Sequence, residues 1–464
     1  MNRALILTTT SIGSFVTPFF SSVVSFAVPK IALFYHLNFQ DASLIPLIIL
    51  IPLASTMILL GRLADSIGRT FIFRIGFLIF SVSAFIGAFS KSFPILTVAL
   101  FFSGFGSAAL STNSTALIGY IFAGDKRGSA LGINAMAVYL GLTMAPFLGG
   151  ILIEFVGWQS IFYLTAPLAL IGLAVSFATL KGVEAKGRMN SDYLSAVFFS
   201  TALFSLAFFL ALGYVYNFEQ FLPLLIIGVA FLYLFFHRNK RVETQLIPAN
   251  LFKSNRTFLF SNVTALLNYL STFSIVFVFS IYLQVILKVS PFQAGLSILP
   301  EPVFMVILSP IAGRISDRIG SRYLASAGMA IIGLSFLFLY VFPKISVFLV
   351  MVFLSFIGIG FGFFSAPNTN SVMGSAPREM SGIASGFLGT MRFVGQFLSI
   401  LVASFILSTF MPRTMVVGIF SGIFVTISQA YYDSFVSGFR LVMLISAVLS
   451  FIGAYTSLMK ETGR

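Results

Sequence analysis

The sequence predicts an all-α membrane protein that crosses the bilayer fourteen times. Of its 464 residues, 58% are hydrophobic and 9% are charged, whereas soluble domains have roughly a quarter of their residues charged. The apolar residues form continuous stretches of about 20 residues or more, which is the length that a helix needs to cross the hydrocarbon core. Continuous stretches indicate helices, because a membrane barrel would show short segments of alternating polarity.

Each of the fourteen stretches is interpreted as one spanning helix. They lie at roughly 6–29, 42–62, 70–90, 94–122, 127–153, 160–180, 193–215, 221–237, 257–284, 292–313, 323–342, 345–367, 383–409 and 437–459. The segment 410–436 is interrupted by Gly and Ser, so we expect an amphipathic or re-entrant segment there. A fifteenth span would place the basic residues Lys460 and Arg464 on the wrong side of the membrane.

The basic residues predict the orientation. Lys and Arg are concentrated in alternate connections, for example at Arg62, Arg69 and Arg314. By the positive-inside rule, both termini are expected in the cytoplasm and the protein in the cell membrane. The net charge of +14 is therefore a topology signal, and no nucleic-acid partner is predicted because the basic residues lie in short runs between spans.

The composition also argues against several functions. The chain has no Cys, two His and 13 acidic residues, so no metal site, thiol chemistry or convergent set of catalytic groups is expected. No phosphate-binding G-x-x-x-x-G-K-S/T loop is present. We therefore predict no catalytic residues, no enzyme activity and no cofactor.

Two short loops repeat one pattern. GRLADSIGRT starts at Gly61 and GRISDRIGSR starts at Gly313, and both read Gly-Arg-x-x-Asp-x-x-Gly with an Arg shortly after. Glycine permits a tight turn, and Asp can cap a helix N-terminus. The repeated positions are Gly61, Asp65, Gly68 and Arg69 in the first copy and Gly313, Asp317, Gly320 and Arg322 in the second.

The repeat predicts the domain organisation. Each copy follows the second span of its half if spans 7 and 8 are set aside as an insertion. The prediction is a six-helix bundle at 1–182, two inserted helices at 183–240 and a second six-helix bundle at 241–464. The polar connector from His237 to Arg256 is the natural boundary between the halves.

The fifth predicted span contains a second motif, GLTMAPFLGG, from Gly141 to Gly150. Pro146 is tolerated in a membrane helix because neighbouring groups satisfy the freed backbone. Together with Ala145, the glycines Gly141, Gly149 and Gly150 provide a small face on which another helix can pack.

Together these segments resemble the major facilitator superfamily, and within it the fourteen-span drug:proton antiporter family. The Gly61 loop resembles the superfamily motif G-x-L-A-D-x-x-G-R/K, and the run from Gly141 resembles the antiporter motif G-x-x-x-G-P-x-x-G-G with Ala145 in place of a glycine. AVPKI at Ala27 resembles the A-L-P that ends span 1. GIASGFLGTMRFVG resembles a segment of span 13 and places Arg392 at the family's arginine.

The resemblance implies a secondary active transporter that exports lipophilic small molecules by alternating access, with the proton gradient as the energy source. Two pseudo-symmetric bundles would rock around a cavity near the midplane. Asp65 and Arg69 are cytoplasmic gate residues by this resemblance, and Asp317 and Arg322 are weaker counterparts. The expected partners are membrane lipid, the substrate and protons, and the expected state is a monomer.

Two positions depart from the family pattern. Phe20 stands where an acidic residue of span 1 is often found, and Leu100 stands where an arginine precedes the G-x-G of span 4, here the GFG at Gly104. Both family residues are commonly tied to cation recognition or proton coupling.

Two charged residues inside spans are the candidates for coupling, because a charge in the bilayer is costly unless it has a function. Glu301 lies between Pro300 and Pro302, where a broken helix would expose it to water or to the cavity, and its carboxyl could carry a proton. The alternative is a hydrated position near the outer interface. Arg392 could bind an anionic group, pair with Glu301, or make a hydrogen bond inside its bundle.

Polar and aromatic residues in the spans are either cavity residues or helix-to-helix contacts. Asn368 and Asn370 are the preferred pair, because they follow Pro367, where we expect a broken helix. The candidates for the substrate cavity are Phe20, Asn134, Gln284, Asn368, Asn370 and Gln396. A uniporter, a lipid or nutrient transporter of the same fold, and a channel or scramblase are the alternative functions.

Overall fold

The structure of the protein is a computed structural model. It describes residues 3–122, 126–180, 192–242, 245, 255–342, 346–376, 381–410 and 429–460. Within these ranges all regular structure is helical, and fourteen helical stretches are long and apolar enough to span a membrane. The predicted fold class and the number of spans are therefore confirmed. Most of the segment 410–436 lies outside the described residues.

The helices are numbered in chain order. They are α1 Arg3–Tyr35, α2 Phe39–Ile67, α3 Arg69–Ala88, α4 Phe93–Ile121, α5 Lys126–Phe155, α6 Ser160–Thr179, α7 Tyr193–Val215, α8 Leu222–Asn239, α9 Arg256–Thr272, α10 Ser274–Ile281, α11 Pro291–Ile298, α12 Pro300–Ile319, α13 Ser321–Val341, α14 Val347–Ser375, α15 Ser381–Phe410 and α16 Gln429–Leu458. A π-helical turn, Tyr282–Ile286, continues α10.

Three proline positions show how the spans accommodate this residue. In the tenth span, Leu299 between α11 and α12 keeps helical backbone angles (φ −54°, ψ −34°), so the helix direction continues and the predicted break near Glu301 is not seen. Likewise, α14 continues through Pro367, and the predicted break there is wrong. Pro146 likewise lies inside an unbroken α5. A membrane helix bridges a proline when neighbouring groups compensate for the missing hydrogen bond.

Contacts divide the chain into two compact units. The first consists of Met1–Ser21, Leu47–Gly141 and Gln159–Pro248, and the second of Ser22–Pro46, Leu142–Trp158 and Ala249–Arg464. Helices α1, α2 and α5 thus each contribute one end to each unit. The domain boundaries at 182 and 240 stay a prediction, because the units are defined by contacts and not by position along the chain.

In the first unit, α3 packs against both α4 and α6, and the inserted helices α7 and α8 pack against each other. Asp192 caps the N-terminus of α7, and Arg238 of α8 donates to both of its carboxylate oxygens, at 3.0 and 3.1 Å. Although burial raises the pKa of Asp192, the hydrogen bonds from Ser195 and Arg238 outweigh that effect and lower its pKa overall.

In the second unit, α13 packs between α14 and α16, α12 packs on α14, and α9 contacts both α15 and α16. Large apolar side chains cover the outer faces of the helices, for example Phe85, Phe348 and Tyr455. An apolar exterior on helices of this length is what lipid contact requires.

Candidate functional site

The two copies of the loop motif share a glycine with positive φ between their helices. Gly68 immediately precedes α3 with φ 121°, and Gly320 immediately precedes α13 with φ 84°. Both angles lie in the region that favours glycine. Gly61 of α2 faces Thr112 of α4, and Gly313 of α12 faces Ala366 of α14. The repeat seen in the sequence is therefore also a repeat of structure, in which each copy joins equivalent helices.

The arginines that follow the second glycine of each loop contact a neighbouring helix. Arg69 donates through Nη1 to the carbonyl oxygen of Ala116 in α4, at 3.2 Å. The carbonyl oxygen of Arg322 accepts from Ser457 Oγ of α16, at 3.3 Å. The side chains of Asp65 and Asp317 lie outside the described residues, so their role in a gate stays a prediction from the family resemblance.

The small face of α5 packs against α11 within the second unit. A Cβ on Gly150 would lie 2.7 Å from the carbonyl oxygen of Pro291, and a Cβ on Gly295 would lie 2.1 Å from the carbonyl oxygen of Pro146. The two helix backbones are therefore in direct contact. Glu154 Oε2 accepts from the backbone N of Phe292 at 2.9 Å, and a carboxylate at the start of a helix is electrostatically favourable.

Other glycines of the same motif face α1. Gly141, in the first unit, is close to the carbonyl oxygen of Phe15, and Gly149, in the second unit, is close to the side chain of Val23. We call the contact of α5 with α11, through Pro146, Gly150, Pro291 and Gly295, the α5–α11 seam.

Gln284 lies in the π-helical turn beside the seam. Its Nε2 donates to the carbonyl oxygen of Phe26 at 3.3 Å and to Ser280 Oγ at 2.8 Å, and Ser280 Oγ in turn donates to the same carbonyl at 2.6 Å. Gln284 Oε1 is buried and has no hydrogen-bond partner. A π-turn within an α-helical span is often found at functional sites, and no sequence signal identified it here.

Glu301 is the second residue of α12, and its side chain is only 8% exposed. A Cβ on Gly358 of α14 would lie 2.2 Å from the Glu301 carbonyl oxygen, so this glycine allows α12 to pack tightly against α14. Glu301 and Arg392 form no ion pair in this structure. Among the described spans, Glu301 is the acidic residue that lies far from a span end. The other acidic residues in these spans lie at the first or last two positions.

Arg392 lies where α9, α14 and α15 meet. Its Nη2 donates to Thr369 Oγ1 of α14 at 2.6 Å, and its guanidinium carbon is 5.8 Å from the centre of the Tyr269 ring of α9. Its Nε is buried without a hydrogen-bond partner. One turn further along α15, Gln396 is 8% exposed, and its Oε1 is also buried without a partner. Arg392 and Gln396, four residues apart, therefore share one face of α15.

The predicted pair Asn368 and Asn370 is not kept together. Asn370 is exposed, while Asn368 is buried and donates through Nδ2 to the carbonyl oxygen of Ser261, at 3.0 Å. Lys460 is 2% exposed and donates to Asn368 Oδ1 at 2.8 Å. Burial lowers the pKa of Lys460 from its ordinary value to about 7. The helix α14 is unbroken at Pro367, and Asn368 contacts α9 and Lys460 in the same unit.

The remaining candidates, Phe20 and Asn134, are buried in the first unit. Phe20 is fully buried and makes edge-on ring contacts with Phe80 and Phe162. Asn134 Oδ1 accepts from Ser14 at 2.6 Å and from Ser114 at 3.0 Å. Whether either residue lines a cavity stays a prediction.

Comparisons with known proteins agree with this architecture. The family profile described as Major Facilitator Superfamily matches residues 10–400 and 262–462. The riboflavin transporter RibZ of Clostridioides difficile is 27% identical, over 84% of this chain and 84% of its own length. The multidrug resistance protein Stp of Mycobacterium tuberculosis is also 27% identical, over 89% of this chain and 78% of its own.

Solved structures show the same fold at lower identity. The crystal structure of the peptide transporter POT in complex with sulfate aligns with a TM-score of 0.69 and 17% identity, over 98% of this chain and 96% of that one. With fourteen apolar helices, the repeated glycine loop and a profile match over most of its length, the chain is a multi-pass membrane transporter and belongs to the Major Facilitator Superfamily.

Proposed function

We propose that this transporter exports lipophilic small molecules across the cell membrane by proton-coupled alternating access, with both termini in the cytoplasm. The observation that carries the coupling is Glu301, a buried carboxyl placed well inside the span Pro291–Ser316. A buried ionisable group in a membrane span is a functional candidate by default. Two relatives, Stp, named as a multidrug resistance protein, and MdtP of Bacillus subtilis, named as a multidrug transporter protein, support export of lipophilic compounds.

The α5–α11 seam supports alternating access. It joins a helix of the N-terminal half to a helix of the C-terminal half within one compact unit. Such a contact closes one side of a transporter while the other side is accessible, and the two sides alternate when one bundle rocks against the other.

Proton movement in proteoliposomes tests the proposal. Purified protein is reconstituted with a pH-sensitive dye inside, a pH gradient is imposed, and lipophilic cations, anions and neutral compounds are added in turn. We expect substrate-evoked proton flux in the native protein and a loss of at least tenfold in Glu301→Gln. The matched control is Glu219→Gln, which removes an exposed carboxyl and should leave the flux unchanged.

The possible outcomes separate the alternatives. Flux retained in Glu301→Gln would place coupling at another residue. Transport without proton flux would indicate a uniporter or another coupling ion, and substrate movement that never exceeds equilibration would indicate a channel or scramblase. Riboflavin belongs in the panel because the relative RibZ is named as its transporter, and flux evoked by riboflavin alone would favour nutrient transport.

A further inference from the structure

The environment of Arg392 carries an inference about the substrate, which rests on the proposed transport function. Arg392 is the twelfth residue of the 30-residue helix α15. Within the apolar span Gly386–Phe410 of this helix it is the seventh residue, about 9 Å from the start at about 1.5 Å per residue. It therefore lies inside the span, where a positive charge is costly unless something compensates for it.

The protein compensates for this charge only in part. In the described structure Arg392 has a neutral hydroxyl, Thr369 Oγ1, as its hydrogen-bond acceptor and an aromatic ring, Tyr269, beside it. A guanidinium has five N–H donors in a fixed fork. Since Nε is buried without a partner, the group keeps donor capacity for an acceptor that the structure does not supply.

The surroundings hold the guanidinium in place. A Cβ on Gly395 would lie 2.7 Å from the carbonyl oxygen of Leu266 and 3.0 Å from Tyr269 Cβ, so α15 and α9 are nearly in backbone contact one residue before Gln396. The Tyr269 ring is itself fixed by an edge-on contact with Phe361, 5.5 Å between centres. Arg392 thus has a rigid aromatic wall on one side and a hydroxyl on another.

Gln396 supplies a second, independent polar group. It lies four residues after Arg392, and residues four apart share one face of a helix. Its side chain is more than nine-tenths buried, and its Oε1 has no donor. A buried amide oxygen without a partner costs about 1–3 kcal/mol, a cost that a ligand N–H or O–H would remove.

We propose that Arg392, Gln396 and Tyr269 form a recognition site for an anionic, hydrogen-bonding group attached to an aromatic body. The guanidinium binds a carboxylate or a similar acceptor, the amide oxygen binds a neighbouring donor, and the tyrosine ring packs on the apolar part. The substrate class is therefore lipophilic organic anions and not lipophilic cations.

A binding measurement with matched probes tests the site without any dependence on proton coupling. The full-length protein in detergent is titrated with pyrenebutyrate and with pyrenebutylamine, which share an aromatic body and differ in the sign of the charge. We expect the anion to bind at least tenfold more tightly, and Arg392→Met to remove this preference while the affinity for the cation stays the same. Arg392→Lys should restore part of the preference, because it keeps the charge but loses the planar fork.

Thr369→Val is the matched control for a purely structural role. It breaks the hydrogen bond between α14 and α15 but keeps the charge, so the anion preference should remain. Equal affinity for both probes in the native protein would overturn the proposal, as would an equal loss of anion affinity in Thr369→Val and Arg392→Met. If Arg392→Met does not fold, the proposal is still tested by the anion preference of the native protein and by the reduced preference expected in Arg392→Lys. Selective anion binding without proton flux would contradict the proposal of proton coupling and leave the recognition site supported.

Discussion

Two buried polar clusters, one in each unit, differ in how completely their atoms are paired. In the first unit, Ser14 Oγ donates to Asn134 Oδ1, and the single Ser114 hydroxyl lies within hydrogen-bonding distance of Asn134 Oδ1, of the carbonyl oxygen of Thr10 and of Ser14 Oγ. In the second unit, Arg392 and Gln396 each keep a buried polar atom without a partner. The three side-chain oxygens of the first cluster all have hydrogen-bond partners, whereas the second cluster is incomplete.

This difference separates structural polar groups from recognition groups. A network in which every member is satisfied holds helices in register, and its loss should appear as lower stability. A site with unsatisfied atoms is less favourable in the empty protein and gains when a ligand supplies the missing partners. Substitutions in the two places should therefore change different measured quantities.

The largest expected effect on stability is at Asn134. Asn134→Leu removes the acceptor of the Ser14 hydroxyl and an oxygen that Ser114 shares, and the loss of a buried hydrogen-bond partner costs about 1–3 kcal/mol. We expect a Tm several degrees lower in detergent, with the affinity for the preferred probe unchanged in the folded fraction. Asn370→Leu, at an exposed position, is the control and should have little effect on Tm. An unchanged Tm in Asn134→Leu would contradict a structural role for the network.

Lys460, a buried cation, should affect stability in a pH-dependent way. Its pKa is about 7 in the folded protein and ordinary, near 10.5, when unfolded. Below pH 7 both states carry the proton and the fold bears the cost of the buried charge. Between pH 7 and about 10 only the unfolded state keeps the proton, so stability rises with pH.

We therefore expect the Tm of the native protein to rise relative to that of Lys460→Met between pH 6.5 and 9. The measurement is a thermal melt at each pH in the same detergent, with Lys240→Met, which replaces an exposed lysine, as the control. A difference in Tm that stays constant across this range would show that Lys460 is not buried as described.

The effect of Gln396 on stability should have the opposite sign. Gln396→Leu removes a buried oxygen without a partner, a group that costs about 1–3 kcal/mol, so the free energy of unfolding should not fall and should rise by up to that amount. The affinity for pyrenebutyrate should stay the same, because its carboxylate has no N–H or O–H to donate to the amide oxygen, whereas the affinity for a pyrenebutyrate analogue with a hydroxyl next to the carboxylate should fall by roughly two- to fivefold. A large loss of stability would mean that this amide is structural, like Asn134, and would remove the contrast between the two clusters.

The spans were predictable because a membrane helix must satisfy its own backbone and be apolar over a fixed length. Glycine positions in the repeated loop were predictable for a similar reason, since the turn needs a backbone conformation that favours glycine. The prediction of a helix break at Pro367 was wrong, because proline permits a kink but the packing of neighbouring helices determines whether one forms.

The parts of the site that sequence reasoning missed depend on tertiary contacts. Lys460 is far from Asn368 in the chain, and the hydrogen bond between them leaves no local pattern. The contacts of Arg392 with Thr369 and Tyr269 likewise join residues far apart in the chain and leave no local sequence pattern. The π-helical turn at Gln284 was missed because its residues are as apolar as those of an ordinary helix. Such features follow from how helices pack and not from periodicity along one helix.

The α5–α11 seam has a consequence for the speed of a transport cycle. Its closest approaches run from glycine positions to backbone carbonyls, so few long side chains have to be ordered when the helices meet. Ordering a flexible side chain at an interface costs about 0.5–1.5 kcal/mol. If the seam opens and closes once per molecule transported, two nearly rigid surfaces separate and meet again. Few side chains then have to find one rotamer before the seam can close, so this step should not slow closure.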